Sequence, residues 1–375
     1  MHVLNITEQL ALVPEPRLDP QALAQSAQDA VAAFIAAGTA PNTARSYRGA
    51  LSYWSAWFQA RYGQTLSHAP VPAAVAVQFV LDHLARPLAE GGWAQMLPPT
   101  IDASLVAAKI KARPGPLSYN TICHRLAVLA KWHRIHNWDN PCEAPALKAL
   151  VREARKAQSR HGVVVRQKTA LLLEPLQALL ATCTDGIRGQ RDRALLLLAW
   201  SGGGRRRSEV VGLQVTDLRR LDADTWLYAL GATKTDLGGT RREKPLRGAA
   251  AHALSAWLEL APAEEGPLFR RVYRGGKVGI AGLSADQVAR IVQRRAQLAG
   301  LDGDFAAHSL RSGFVTEAGR QGVPLGDVMA MTEHRSVSTV MGYFQAGSLL
   351  DSRATTLLNN DSSLDVGSCP VEKDS

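Results

Sequence analysis

The residues best suited to chemistry lie near the C-terminus, between positions 308 and 343. His308-x-x-Arg311 is followed by His334, and Tyr343 lies nine residues beyond that histidine. A permanently charged guanidinium and two imidazoles can bind phosphate oxygens, and a phenol can act as an oxygen nucleophile. No cluster of carboxylates suited to a metal accompanies them. The combination predicts phosphate chemistry in which a tyrosine attacks phosphorus without a metal.

A second cationic segment occurs earlier in the chain. Residues 202–209 read Gly-Gly-Gly-Arg-Arg-Arg-Ser-Glu and open a predicted short helix. Backbone N–H groups and guanidinium forks at such a helix start can bind a phosphate. The order of residues differs from that of a nucleotide-binding P-loop. The alternative is a turn between helices with arginines on the surface.

Together these segments resemble the catalytic domain of the tyrosine recombinase (phage integrase) family. That family carries, in order, an arginine in G-x-R-x-S-E, a lysine in a β-hairpin, H-x-x-R, a further histidine and a nucleophilic tyrosine. The resemblance covers about residues 170–350, whereas residues 40–145 are only generally similar to the family's helical core-binding domain. The catalytic set that it implies is Arg206, Lys234, His308, Arg311, His334 and Tyr343.

The resemblance implies a role for each of these residues. Two arginines and His334 stabilise the pentavalent phosphate, and His308 assists deprotonation of the tyrosine, whose ordinary pKa is near 10. Lys234, at the end of the first hairpin strand, delivers a proton to the leaving 5′ oxygen; Lys244 on the second strand is the rival candidate. A 3′-phosphotyrosine link conserves the bond energy, so no cofactor, neither ATP nor Mg²⁺, is expected.

The sequence departs from the family pattern at three places. Arg205 stands where an aliphatic residue is usual. Thr332-Glu333-His334 replaces the common Leu-Gly-His, and the role of this carboxylate is left open. Tyr343 is followed by Phe-Gln and not by the frequent x-His.

Length, net charge and cysteine content limit the classes of protein to which this chain can belong. The 375 residues carry a formal net charge of +10 and a pI near 9.7, which favours an acidic polymer as partner. The length indicates two domains. Four scattered cysteines without C-x-x-C spacing indicate a reducing cytoplasm and neither a disulfide framework nor a zinc site. The sequence predicts no signal peptide and no membrane span.

The predicted fold is mainly α with a small β-sheet, in which a helical N-terminal core-binding domain precedes an α+β catalytic domain. The boundary is placed around residues 160–170, where a basic helix is followed by a connector. The four predicted regions are a flexible N-terminal arm at 1–35, a helical DNA-binding domain at 36–160, a catalytic domain at 170–350 and a partly disordered tail at 351–375.

Helical and strand periods locate the elements that position the candidate residues. A capping box, Ser284-x-x-Gln287, predicts one helix start, and Gly300 predicts the end of that helix. Strands are predicted at 226–230 and 242–246. Helices are predicted at 41–62, 71–84, 101–111, 117–137, 173–181, 190–200, 208–213, 249–260, 284–298, 324–332 and 337–344.

Two basic surfaces are predicted to contact DNA phosphates. In the helix at 41–62, Arg45 and Arg48 lie away from a predicted apolar stripe, although a solvated amphipathic helix face is an equal alternative. In residues 144–169, a one-sided basic run favours phosphate contact over a solvated face. The basic run contributes Arg152, Arg155 and Lys156. The predicted apolar stripe consists of Tyr47, Leu51, Trp54 and Phe58.

The sequence thus predicts a site-specific recombinase or integrase of the kind carried by mobile genetic elements. Implied partners are double-stranded DNA with inverted-repeat sites, three further copies in a homotetramer, and accessory DNA-bending proteins. An amphipathic piece at 348–358 is expected to dock into a neighbouring copy. Two alternatives remain: a non-catalytic DNA-binding regulator and a relaxing enzyme like topoisomerase IB. Neither the DNA site nor the choice among integration, excision and dimer resolution is readable from the sequence.

Overall fold

The computed structural model describes residues 38–66, 69–88, 92–160, 168–231, 242–334 and 336–348. These residues form two compact units, one up to residue 160 and one from residue 168 onward. The fold is mainly helical with small antiparallel sheets, as predicted. Across these ranges, no helix has the length and apolar character needed to cross a membrane. The predicted arm at 1–35, the tail at 351–375, residues 349–358 of the piece expected to dock into a neighbouring copy, and Lys234 lie outside the described residues.

The first unit is helical apart from one short antiparallel β-ladder that pairs Arg86 with Ala94. Its core lies between the first, second and fourth helices. In chain order, its elements are α1 (Pro41–Tyr62), α2 (Ala73–His83), β1 (Arg86–Pro87), β2 (Trp93–Ala94), α3 (Pro99–Ala107), α4 (Tyr119–Ile135), a 3₁₀ turn (Pro141–Glu143) and α5 (Pro145–Arg160).

The buried face of α1 differs from the predicted stripe by a rotation of about one residue. Tyr53, Trp54 and Trp57 are fully buried, and Trp54 is the only one of them in that stripe. The physical reason is aromatic packing: Trp54 stacks on Phe79 with ring centroids 3.8 Å apart. Trp57 gains a partner for its indole N–H, the buried carboxylate of Asp82, at 3.0 Å. The stripe residues left partly exposed are Tyr47, Leu51 and Phe58.

The inward face of α4 agrees with its sequence pattern. Ile122, Leu126 and Leu129 are buried, as their spacing predicts. The helix begins at a cap in which the Ser118 hydroxyl accepts a hydrogen bond from the Thr121 backbone N–H at 3.2 Å.

The second unit surrounds one apolar helix with further helices and a three-stranded antiparallel sheet of order β3-β4-β5. In chain order, its elements are α6 (Leu173–Ala181), α7 (Ile187–Ser201), α8 (Arg207–Gly212), a 3₁₀ turn (Val215–Asp217), β3 (Leu218–Arg220), β4 (Thr225–Leu230), β5 (Arg242–Arg247), α9 (Ala249–Leu260), β6 (Arg270–Val272), β7 (Val278–Gly282), α10 (Ala285–Leu298), α11 (Ala307–Arg320), α12 (Leu325–Thr332) and α13 (Val337–Ser348).

A buried charge cluster joins α7 to α10. Asp192 accepts from Arg191 and from Arg295, each at 2.6 Å, and all three side chains are buried. Removing one member of such a buried group leaves an uncompensated charge, which is strongly destabilising. The predicted capping box is also present, because Ser284 N–H donates to Gln287 Oε1 at 2.8 Å.

Helix α11, which carries His308 and Arg311, is absent from the predicted helices. It is buried on nearly all sides and contains Gly313 and Gly319, so it shows no amphipathic period for the sequence to reveal. A methyl group on Gly313 would lie 1.9 Å from the Leu171 carbonyl oxygen. Glycine therefore allows α11 to pack directly against the backbone of the segment before α6.

Candidate active site

A glycine turn brings the first candidate arginine to the second. After α7 the chain turns through Gly203 and Gly204, whose φ angles of 94° and 64° lie in the left-handed region that favours glycine. A methyl group on Gly204 would lie 2.8 Å from the Cα of Arg311. The close approach places the N-terminus of α8, and Arg206 at its cap, beside α11.

Arg205 and Arg206 are adjacent in sequence but have opposite environments. Arg205 is 1% exposed and donates to the carbonyl oxygens of Gly203, at 3.1 Å, and Met331. The Arg206 side chain is 40% exposed and is held by Glu209, which accepts from its NH1 at 2.5 Å and from its backbone N–H at 3.0 Å. Of the two guanidiniums, only that of Arg206 is accessible to a ligand.

Arg311 is buried and held by backbone oxygens. Its NH1 donates to the Gly204 carbonyl at 2.9 Å and its NH2 to the Thr332 carbonyl at 2.8 Å. Burial, and then the neighbouring charge of Arg206, lower the pKa of Arg311 to about 10. The guanidinium therefore remains charged at neutral pH and is fixed in orientation.

His334 meets Arg311 through its Nε2 atom. This nitrogen accepts from Arg311 Nε at 3.2 Å and from NH2 at 2.9 Å, and Nδ1 lies 2.7 Å from the Thr332 hydroxyl oxygen. Burial, and then the charge of Arg311, lower the pKa of His334 to about 4. The imidazole is therefore neutral at pH 7. In this geometry its Nε2 is an acceptor, whereas the sequence-based role is that of a donor.

Tyr343 lies on α13 beside His308 on α11. The Tyr343 hydroxyl oxygen is 3.3 Å from His308 Nε2, and the two rings meet edge to face with centroids 6.0 Å apart. The ring of Tyr343 packs against a small apolar cluster that includes Val315 and Val340. Partial burial, and then the charges of Arg311 and Arg206, lower the pKa of His308. A neutral imidazole beside the phenol can accept its proton.

A cationic cavity of about 310 Å³ opens between α8, α10 and α11. Lys168, at its edge, pairs with Asp304 at 2.6 Å. Among the described residues that line the cavity there is no carboxylate, so its field attracts an anion such as a phosphate. The charged or titratable residues of its lining are Lys168, Arg205, Arg206, Arg207, His308 and Arg311.

Of the two candidate lysines, Lys244 lies in the described part of the chain. Lys234 lies outside the described residues. Lys244, on β5, donates to the Ala330 carbonyl at 2.7 Å and lies 3.6 Å from a Glu333 carboxylate oxygen, with both side chains largely buried. Glu333 has a φ of 56° at the position where the family pattern has glycine. Lys244 thus contacts the C-terminal end of α12 through a hydrogen bond and an ion pair.

The five predicted DNA-binding residues belong to the first unit and lie on helix surfaces. Arg45 donates to Asn42 at 3.0 Å, and Arg48 has no partner among the described residues. On α5, one carboxylate, Glu153, lies 3.1 Å from Arg152 and 3.0 Å from Lys156. Arg155 on the same helix has no ion-pair partner within the described part of the chain.

The structure adds three groups to the predicted set. The Glu209 carboxylate fixes Arg206, the Gly204 carbonyl fixes Arg311, and Thr332 contacts both Arg311 and His334. Glu209 has a signal in the sequence, since it ends the G-x-R-x-S-E motif. The contacts that Gly204 and Thr332 make with Arg311 join residues 107 and 21 positions apart, so they have no local signal. The contact between Thr332 and His334 joins residues only two positions apart.

Comparison with known proteins gives related sequences. Residues 170–348 match the model of the phage integrase family. An integrase/recombinase XerD homolog from Selenomonas ruminantium is 32% identical over 250 residues, which are 64% of this chain and 72% of that protein. Tyrosine recombinase XerD from Neisseria meningitidis serogroup B is 28% identical over 271 residues, which are 70% of this chain and 83% of that protein.

Solved structures share the fold. The Tn1549 transposon integrase in complex with transposon right end DNA has a TM-score of 0.53 at 16% identity, covering 85% of this chain and 94% of that one. A lambda integrase dimer bound to a COC′ core site has a TM-score of 0.51 at 14% identity, covering 86% of this chain and 95% of that one.

Proposed function

Since the chain belongs to the tyrosine recombinase family and is a site-specific recombinase, we propose that it cleaves and rejoins DNA strands through a 3′-phosphotyrosine intermediate. The observation that carries this proposal is the contact between the Tyr343 hydroxyl and His308 Nε2, 3.3 Å apart, beside the cavity lined by Arg206 and Arg311. A nucleophile, a base and two permanent cations are thus close together.

The reaction follows from these positions. His308 Nε2 takes the proton of the Tyr343 hydroxyl while the phenolic oxygen bonds to phosphorus. The bond from phosphorus to the 5′ oxygen breaks, and that oxygen takes a proton from Lys234, the proposed general acid. Rejoining reverses these steps with the 5′ hydroxyl of another strand. No external energy source is needed, because one phosphodiester is exchanged for another of similar energy.

Arg206 and Arg311 stabilise the pentavalent phosphate. Arg311 uses NH1 and NH2 to hold two backbone carbonyls, so its position is set before substrate binds. The partly exposed Arg206, held by Glu209, supplies the second guanidinium. Charges fixed before the reaction stabilise a transition state without a reorganisation cost.

Double-stranded DNA is the proposed substrate. Within the second unit, a further basic cavity of about 260 Å³ adds positive charge away from the catalytic set. Three of its arginines, Arg271, Arg290 and Arg294, have no hydrogen-bond or ion-pair partner among the described residues. Unpaired guanidiniums of this kind are suited to DNA phosphates, as are Arg45, Arg48, Arg152, Arg155 and Lys156 on the first unit.

The proposed assembly is a homotetramer on two inverted-repeat sites. Each protomer supplies one Tyr343, and exchange between two duplexes requires cleavage of four strands, so four protomers complete the reaction. The lambda integrase of similar fold is a dimer bound to a core site. Accessory DNA-bending proteins are further proposed partners, and the cytoplasm, where the DNA lies, is the proposed location.

A suicide substrate, nicked beside the cleavage point so that the released fragment diffuses away, tests this proposal. We expect a covalent protein–DNA complex that is lost in Tyr343→Phe, with peptide mapping locating the link at position 343. Tyr273→Phe, at an exposed tyrosine of the same unit, is the matched control. DNA binding without any covalent complex would instead indicate the non-catalytic regulator.

A second measurement distinguishes a recombinase from a relaxing enzyme. Plasmids that carry two copies of the specific site should yield exchanged products with the wild-type protein. Relaxation of supercoiled DNA of any sequence, without exchange, would indicate activity like that of topoisomerase IB.

A further inference from the structure

We propose that Thr332 is a positioning residue for His334, and that its hydroxyl is the hydrogen-bond partner of Nδ1 in both neutral tautomers of the imidazole. This inference rests on the proposed function, because the second tautomer is the one that serves a bound phosphate. It gives Thr332 a role that leucine, usual at this position in the family pattern, cannot fill.

The side chain and the backbone of Thr332 hold two different members of the catalytic set. Thr332 ends α12 and is fully buried. Its carbonyl accepts from Arg311 NH2 at 2.8 Å, and its hydroxyl oxygen lies 2.7 Å from His334 Nδ1. A substitution of the side chain alone therefore removes the contact with His334 and leaves the contact with Arg311 in place.

The positions of the protons follow from the donors available. Both Arg311 atoms that face His334 Nε2, at 3.2 and 2.9 Å, carry hydrogens, and a guanidinium has no acceptor. His334 Nε2 must therefore present its lone pair. A neutral imidazole then carries its proton on Nδ1, and Nδ1–H donates to the Thr332 hydroxyl oxygen.

Binding of a phosphate reverses this arrangement. For His334 to donate to a phosphate oxygen, Nε2 must carry the proton, and Nδ1 must become an acceptor. The ring loses the Nδ1 proton to solvent and gains one at Nε2, so its charge is unchanged. The Thr332 hydroxyl then donates to Nδ1, since a hydroxyl can both donate and accept. The hydrogens of Arg311 Nε and NH2 are released to the phosphate oxygens.

Two substitutions at position 332 separate the hydroxyl from the shape of the side chain. Thr332→Val keeps the branched shape without a hydroxyl, and Thr332→Ser keeps a hydroxyl in a smaller side chain. We expect Thr332→Val to slow single-turnover cleavage of a suicide substrate by about threefold to tenfold, as for the loss of one hydrogen bond. We expect Thr332→Ser to retain the rate within about twofold.

A direct readout is the ¹⁵N NMR spectrum of the His334 ring in the DNA-free protein. The wild type and Thr332→Ser should show a hydrogen-bonded proton on Nδ1. In Thr332→Val the Arg311 donors still face Nε2, so the proton should stay on Nδ1 but lose its hydrogen bond and exchange faster with water. Equal thermal midpoints and equal DNA affinities of the three proteins show that the fold is unchanged. Should Thr332→Val not fold, Thr332→Ala, which removes the hydroxyl and leaves space, is measured instead.

The inference is overturned if the variants without a hydroxyl cleave at the wild-type rate and show the same hydrogen-bonded, slowly exchanging Nδ1 proton as the wild type. It is equally overturned if Thr332→Ser is as slow as Thr332→Val, since shape would then be the cause. Neither result affects the proposed function, which is tested separately by the covalent complex that Tyr343→Phe should abolish.

Discussion

The His308 Nε2 atom lies 3.3 Å from the hydroxyl oxygen of Tyr343, although 35 residues separate the two in the chain. The distance depends on how α11 packs against α13. At Gly319 the two helices approach so closely that a methyl group would lie 2.3 Å from the Phe344 carbonyl oxygen. A glycine about two turns beyond Arg311 in α11 thus sets the position of the proposed nucleophile.

Gly319→Ala should separate the two helices and move the Tyr343 hydroxyl away from His308. We expect slower single-turnover cleavage, by about 10-fold or more, because small misplacements of reacting groups are costly. Gly342→Ala is the matched control, since no atom lies within 4 Å of a methyl group at that helical position. Equal effects of the two substitutions would show that the close packing at Gly319 does not set the alignment.

The pH dependence of cleavage should follow the neutral form of His308. Because burial and two arginine charges lower its pKa, the rate should fall with decreasing pH only below the ordinary value of 6.5. Arg206→Gln removes one positive charge, which favours the protonated imidazole, so the pKa of His308 should rise in an NMR titration of its ring. Arg207→Gln, whose side chain pairs with Asp286, should leave that pKa unchanged. A downward shift in Arg206→Gln would contradict the assignment.

Substitution of the neighbouring arginines should separate a structural side chain from a catalytic one. Arg206→Leu should lower the cleavage rate by about 10²–10³-fold, as for the loss of a transition-state donor. Arg205→Leu replaces a buried guanidinium whose NH2 donates to two backbone carbonyls and whose NH1 lies 3.7 Å from a Glu209 carboxylate oxygen. We expect its free energy of unfolding to fall by about 3–5 kcal/mol, because buried partners lose their donor, with cleavage by the folded protein largely retained. Chemical denaturation measures the effect on stability, and single-turnover cleavage measures the effect on the rate. If Arg205→Leu cleaved more slowly than Arg206→Leu, Arg205 would be the catalytic side chain and Arg206 the structural one.

A substrate with sulfur in place of the 5′ bridging oxygen should identify the general acid. A thiolate leaves without a proton, so loss of the acid matters little with this substrate. Lys234→Met should cleave the ordinary substrate about 10²–10⁴-fold more slowly than the wild type. With the sulfur substrate, its cleavage rate should return close to that of the wild type. Lys244→Met should show no recovery of rate with the sulfur substrate, because Lys244 is hydrogen-bonded to Ala330 and paired with Glu333. Recovery of the Lys244 variant alone would assign the proton transfer to that residue.

The salt dependence of DNA binding should report the phosphate contacts of α1. Each of Arg45→Ala and Arg48→Ala should reduce the slope of log K against log salt by about 1. Arg61 on the same helix pairs with the buried Asp82 at 3.1 Å. Arg61→Ala should therefore lower the thermal midpoint and leave the slope unchanged. An unchanged slope in the first two variants would show that this face of α1 is simply solvated.

Local patterns were sufficient for much of the fold. The predicted helices at 41–62, 173–181 and 249–260 have the observed bounds, because caps, breakers and a 3.6-residue period act within a few residues. Helix α11 was not predicted, since its glycines and all-round burial remove that period. The face that α1 buries was also predicted wrongly, because the aromatic packing of Phe79 selects Trp57 over Phe58.

The sequence alone determined which residue types this protein has for its chemistry and in what order, since that information lies in short motifs. A second H-x-x-R sequence occurs at His83-Leu-Ala-Arg86. The tertiary structure shows that His83 is fully buried beside the Phe79 carbonyl, whereas His308 contacts Tyr343. It also decided that Arg205 is buried whereas Arg206 is partly exposed, and it brought Thr332 to Arg311. These outcomes depend on burial and on contacts between distant segments, and the free energy of such contacts is not encoded in any local spacing.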